Sequence, residues 1–317
     1  PGVRRSSATP STTSCGATMT DAAPAVRVGR IEFVNCFPLY DHFEEELAAR
    51  GVAAEIVEGH PAALNALLVE GEIDVALPSS IAYARHADVL SVLPHVSISS
   101  LGAVDSVQLF TRVPLGDVTR IALTEQSATS VCLVKILCRE WGIEPEFVPR
   151  RGPLSEVMAG ADGLVLIGDE ALHVLRTRVY PNNYDLGEEW QRVSGLPMVF
   201  AVCAARRDFV AARPAAADAV GRALLASRDQ CAAQPERTAA EAALRYDFNQ
   251  AYLMEYFDRL KYGFTPEYRR GLLEFYRRAA AIDQLDEVPE LDDVPAASFE
   301  ETRLSAPVRG SVPGHDD

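Results

Sequence analysis

Three times in the first half of the chain an apolar run of strand length gives way to hydroxyl or amide residues and then to a helical pattern. The run Val26–Val34 ends at Asn35, and Pro38 then opens a helix that reaches Arg50 before Gly51. Ile73–Leu77 ends in Pro78-Ser79-Ser80 ahead of a helix over 81–86. Arg120–Leu123 leads through the hydroxyl-rich stretch 124–130 into a helix on which Val131, Val134, Cys138 and Trp141 share a face. Strands alternating with helices specify an α/β protein with largely parallel sheet. In such sheets ligands bind beyond the carboxyl ends of strands, where helix N-termini offer free N–H groups and a positive dipole end.

Beyond the apolar strand Met198–Ala204 the pattern is almost wholly helical from Phe209, which suits a chain returning to cap its first lobe. With 317 residues, 48% of them apolar, there is material for two cores. The expected architecture is therefore α/β and two-lobed, with the site in the interlobe cleft. Residues 26–110 plus 204–300 form a discontinuous first lobe, residues 111–203 an inserted second, and crossings near Phe110 and Val202 the hinge. Residues 1–25, rich in Ser, Thr, Pro and Ala, are expected to be a disordered extension with Met19 as the natural start. The acidic stretch from about Leu285, including the tail 301–317, is expected to be loose, and Tyr184–Trp190 a loop.

A formal charge of -15 leaves no broad basic surface and argues against nucleic acid as a partner. No apolar run approaches the roughly 18–20 residues of a membrane span, and no secretion signal is recognisable, so the expectation is a cytoplasmic protein without membrane contact. Nothing points to an obligatory protein partner. Cys15, Cys36, Cys132, Cys138, Cys203 and Cys231 form no C-x-x-C pair, and none of the histidines shares a metal or nucleophile motif with them. Neither G-x-G-x-x-G, nor a phosphate-binding G-x-x-x-x-G-K-[ST], nor G-x-S-x-G occurs. The expectation is thus no metal and no cofactor, leaving cofactor-free chemistry or plain binding.

Ser79, Ser80, Thr129 and Ser130 sit at helix starts, where Ser and Thr serve as caps with or without a ligand. Together with Asn35 and with Ser106, on the strand Val104–Phe110, they make an uncharged donor set suited to carboxylates. Asp169, closing the strand Gly163–Ile167, either orients a substrate hydroxyl or caps the next helix. The turn Gly195-Leu196-Pro197 either brings backbone close to a ligand or is simply a turn. The aromatic run Tyr246, Phe248, Tyr252, Tyr256, Phe257 and Tyr262 follows helical spacing and reads as core or interlobe packing, with an aromatic ligand platform as the alternative.

The segments Val34-Asn35-Cys36-Phe37-Pro38-Leu39, Leu77-Pro78-Ser79-Ser80 and Gly102–Phe110 resemble the chorismate dehydratases of the futalosine route to menaquinone. The resemblance continues through Ala122–Ser130, Leu166-Ile167-Gly168-Asp169 and Tyr184–Phe200, covering about residues 26–280, with Thr111, Ser194 and Cys203 as mild departures. It implies a fold like type 2 periplasmic solute-binding proteins. It also implies dehydration of chorismate, a dicarboxylate, to 3-[(1-carboxyvinyl)oxy]benzoate; because the matching motifs hold no obvious basic side chain, the substrate's own enolpyruvyl carboxylate is expected to take the proton. In that reading Asn35 is catalytic; Ser79, Ser80, Ser106, Thr129, Ser130 and Gly195 bind substrate, and Asp169 is a hydroxyl partner or, in the rival account, the base. The naphthoate synthase of the same pathway and a non-catalytic carboxylate receptor are the competing functions.

Overall fold

The computed structural model of the chain describes residues 4–7 and 23–291. Their strands are β1 (Arg4–Ser7), β2 (Val26–Ile31), β3 (Ala54–Gly59), β4 (Val75–Ala76) and β5 (Leu90–Ser100), followed by β6 (Val107–Thr111), β7 (Arg120–Leu123), β8 (Glu146–Pro149), β9 (Gly163–Ile167) and β10 (Asn182–Asp185), then β11 (Met198–Arg206) and β12 (Leu260–Phe264). Among the described residues they form a seven-stranded sheet ordered β1-β3-β2-β4-β11-β5-β12 and a five-stranded sheet ordered β10-β6-β9-β7-β8. Each sheet is the centre of one lobe.

The parallel pairs β2–β3, β2–β4, β7–β8 and β7–β9 are the strand–helix–strand units read from the sequence. The sheets are not largely parallel, however, because β1, β5, β6, β10, β11 and β12 pair antiparallel. The chain enters the second lobe from β5 and comes back into β11, so these two run side by side in opposite directions, from Met198 opposite Ser100 to Arg206 opposite Leu90.

The crossings themselves lie at 101–106 and 186–197, not at Phe110 and Val202. Those two residues are interior to β6 and β11, where they and the strand residues on either side of them are buried, so nothing there marks the passage. Asp185 stitches the crossings together. Its buried carboxylate accepts N–H bonds from Val104 and Asp105 on the outgoing segment, from Gly187 and Glu188 on the returning one, and from Gln108 Nε2 at 2.6 Å. The expected loop 184–190 is accordingly the end of β10 and the helix Leu186–Ser194, capped by that same side chain. Trp190 on this helix is fully buried, its Nε1 donating to Pro197 O at 3.1 Å.

The helices of the last third pack on the first lobe. Pro266–Ala280 buries Leu272, Phe275 and Tyr276, each such side chain contributing about 1.5–3 kcal/mol of apolar burial. Gly271 lets it approach the 197 turn, since a Cβ there would overlap Pro197 O. Pro214–Ala233 lies against the helix Phe43–Ala49 and reshapes it. The hydroxyl of Ser227 donates to Pro38 O and accepts from His42 N, standing between two groups that would otherwise bond to each other in a continuous helix. The single helix expected to run to Arg50 is therefore two, Phe37–Tyr40 and Phe43–Ala49.

The extension is also more structured than its composition implied: residues 4–7 pair with β3 as an edge strand. At the other end Leu285 and Leu291 are buried, and Arg269 donates to Leu291 O, so the chain stays packed through 291. Residues 1–3 and 8–22 of the expected extension and the tail 301–317 lie outside the described residues. Among those described, no helix is long and apolar enough to cross a membrane, and all five cysteines are buried and free.

Candidate functional site

Between the lobes lies a partly enclosed cavity lined by residues of both. Ile31, Phe33, Leu77, Ile98 and Phe200 form its apolar wall on the first lobe, and Val104, Val107 and Ile167 on the second. Its polar groups are Asn35, Ser79, Ser106, Ser127 and Ser130, with the Cys36 thiol beside them. Neither a cation nor a carboxylate is among the lining residues.

Asn35 is carried by a single 3-10 turn, Val34–Cys36, immediately after β2. Three contacts fix this turn: Tyr262 Oη donates to Asn35 O at 2.8 Å, Val34 N donates to Asp169 Oδ1 at 3.0 Å, and Cys36 Sγ lies 3.3 Å from Asn35 Oδ1. Ser79 stands at the N-cap position of the helix Ser80–Arg85, yet its side chain caps nothing. Its Oγ is buried and has no hydrogen-bond partner among the described residues, and the residue lines the cavity.

Ser80 and Thr129, expected to bind the substrate, have their hydroxyls bonded within the protein. Ser80 is fully buried and donates to Val199 O at 2.6 Å. Thr129 Oγ1, also fully buried, accepts from Ile81 N at 3.0 Å, so a hydroxyl of the second lobe satisfies the first turn of a first-lobe helix. Neither lines the cavity. Gly195 is also displaced from the expected role: it ends the helix Leu186–Ser194 in the left-handed conformation, φ +70°, away from the cavity.

Ser106 and Ser130 do line the cavity. Ser130 belongs to the first turn of the helix Ala128–Trp141, where Ser127 is the cap, accepting from Ser130 N at 3.1 Å. The two hydroxyls lie 2.9 Å apart. Ser127 was missed because the helix begins three residues earlier than its apolar spacing indicates. Gly168 is the other omission. It opens the helix Gly168–Thr177 at φ +60°, with the Phe33 ring about 3.0 Å from where a Cβ would stand.

Asp169 follows it, half-buried, and reaches across the cleft to Val34 without lining the cavity. Burial pushes its carboxyl up to about 6, and the Val34 N–H and His173 draw it back only in part. Tyr256, fully buried, brings its hydroxyl beside Ser106 without a hydrogen bond of normal geometry. Outside the cavity the same second-lobe helix closes on the aromatic run. His173 stacks on Phe248 at 4.4 Å, and the Arg176 guanidinium lies 5.0 Å from the Tyr252 ring centre, so the run serves interlobe packing. His60 places a buried Nδ1, without a hydrogen-bond partner among the described residues, next to Phe33, a position that no spacing in the sequence signals. Asp41, His42 and Cys231, none of which lines the cavity, bring three metal-type ligand atoms within 4.8 Å of one another, with Arg245 3.6 Å from Asp41.

The profile of a family described as menaquinone biosynthesis matches residues 26–281. A chorismate dehydratase of Thermus thermophilus is 36% identical over 263 residues, 78% of this chain and 93% of that protein. Among solved structures, the alkanesulfonate-binding protein of Xanthomonas axonopodis pv. citri bound to MOPS superposes with a TM-score of 0.64 at 15% identity, covering 86% of this chain and 96% of that one. A Candida albicans protein described as having the generic periplasmic binding protein fold gives 0.63 at 12% identity, covering 84% and 93%. At such identities the likeness is one of fold: this is a periplasmic-binding-protein-like fold.

Proposed function

The chain belongs to the menaquinone biosynthesis family, and we propose that its reaction is the dehydration of chorismate to 3-[(1-carboxyvinyl)oxy]benzoate and water, a carbon–oxygen lyase reaction. The observation that carries this reading, beside the Thermus relative, is a cleft furnished with neutral N–H and O–H donors and no charged side chain. A small dianion that becomes aromatic by losing water needs little more than orientation, because the driving force is already in the ring.

Ser79, Ser106, Ser127 and Ser130 hold the carboxylates, and the apolar walls hold the ring. The enolpyruvyl carboxylate takes the proton from C3, the C–H electron pair becomes a ring double bond, and the C4 hydroxyl departs with that proton as water. Asn35 holds the departing hydroxyl or the carboxylate in line for this transfer. No side chain of the lining is a general base, which favours the substrate's own carboxylate in that role. Asp169 supports the Asn35 turn from across the cleft and is a positioning residue.

Purified protein incubated with chorismate should yield the aromatic enol ether, followed by absorbance and mass, without added metal or cofactor. Binding without turnover would favour a receptor, and inertness toward chorismate would favour the naphthoate synthase reaction. Asn35→Ala should lose at least about a hundredfold in kcat, the scale of removing one aligned transition-state donor. Normal turnover in that variant would remove Asn35 from the mechanism.

A further inference from the structure

We infer that Cys36 is a positioning residue, whose thiol turns the amide of Asn35 so that its NH2 end faces the cleft. The inference rests on the proposed action of Asn35 on the substrate. An asparagine amide offers an acceptor at one end and donors at the other, and only the donor end helps a carboxylate or a departing hydroxyl. Rotation about its last side-chain torsion is intrinsically loose, so the choice of end is made by the surroundings.

Here the surroundings divide the task. The main chain of the turn is held by Tyr262 on Asn35 O and by Asp169 on Val34 N. Neither contact touches the amide. Its oxygen is met by Cys36 Sγ at 3.3 Å, and Nδ2 meets no protein acceptor among the described residues. Cys36 is 1% exposed. Burial, and secondarily Asp169, push its pKa well up, so it keeps its hydrogen as a donor. A buried cysteine that only filled space would stand in the same apolar company, but it would not need to be next in sequence to the catalytic amide with its sulfur against the oxygen.

The test compares Cys36→Ala and Cys36→Ser in the full chain, by steady-state kinetics on chorismate and by thermal unfolding. Cys36→Ala should lower kcat about three- to tenfold, a loss of about 0.7–1.4 kcal/mol, while KM stays within about twofold. Cys36→Ser, which restores a donor hydroxyl, should recover kcat to within about twofold of the parent even where the melting temperature does not recover. In an Asn35→Ala background the Cys36→Ala change should have no further effect on kcat. If Asn35→Ala is crippled and Cys36→Ala is as active as the parent, or if Ser and Ala lose kcat alike, the inference falls. If Asn35→Ala itself turns over normally, the reading of Asn35 beneath it falls instead.

Discussion

Asp169, on the first turn of a second-lobe helix, accepts the main-chain N–H of Val34 in the first lobe at 3.0 Å. One residue beyond Val34 is Asn35, so the bond ties the second lobe to the turn that carries the amide proposed to act on the substrate.

Removing the acceptor and keeping it should therefore differ. A hydrogen bond to a charged group contributes about 1.5–3 kcal/mol, so Asp169→Ala should lower kcat/KM by about tenfold or more. Asp169→Asn keeps an oxygen for Val34 and should stay within about fivefold, the scale of one weakened neutral bond. Were Asp169 the base, the Asn variant would instead lose about 10²–10⁴ in rate.

The same carboxyl gives stability a pH dependence. Its ordinary value is 3.8 and its folded value is about 6, so between these pH values the folded chain holds a proton that the unfolded chain has released. Stability supplied by this group is present below about pH 4 and is lost as pH rises through about 6. Relative to the parent, Asp169→Asn should thus gain stability from pH 4 to pH 8 in urea unfolding. A gap that does not widen over that range would contradict the assignment.

Adjacent serines should respond in opposite ways. Ser79→Ala deletes a buried hydroxyl with no partner, so the ligand-free protein should be unchanged or stabilised by up to about 1 kcal/mol, while the KM for chorismate rises severalfold. Ser80→Ala strips Val199 O of its donor and should destabilise by about 1 kcal/mol with a smaller effect on KM. Paired melting curves and KM values decide it.

Gly168→Ala combines left-handed backbone, φ +60°, with a Cβ pressed on the Phe33 ring. It should destabilise by about 1–2 kcal/mol in urea unfolding and lower activity as well, because Phe33 is a cavity wall.

Much of this arrangement was legible in the sequence because the strand-to-helix junctions obey local rules: an apolar run, a hydroxyl, a helical period. Asn35, Ser79 and Ser130 were found that way, and Ser106 as a hydroxyl on an apolar strand. What local rules do not carry is the direction in which a side chain points. Ser79 and Ser80 are equal as caps on paper, yet one faces the cavity and the other a β11 carbonyl. Thr129 has its partner 48 residues away, at Ile81. Ser227 breaks a helix from 185 residues away. The crossings escaped notice for a related reason, since strands buried on both faces read the same on either side of a passage.

The uncharged cleft has one more consequence, and it concerns salt. Enzymes that draw anions in with lysine or arginine slow down as salt is added, because ions screen the attraction. This chain, with its formal charge of -15, repels a dianion at a distance and holds it by neutral donors at contact. Added salt weakens the repulsion and leaves the contacts almost untouched. Chorismate capture should accordingly quicken with ionic strength, so that a moderately saline buffer serves this protein better than a dilute one.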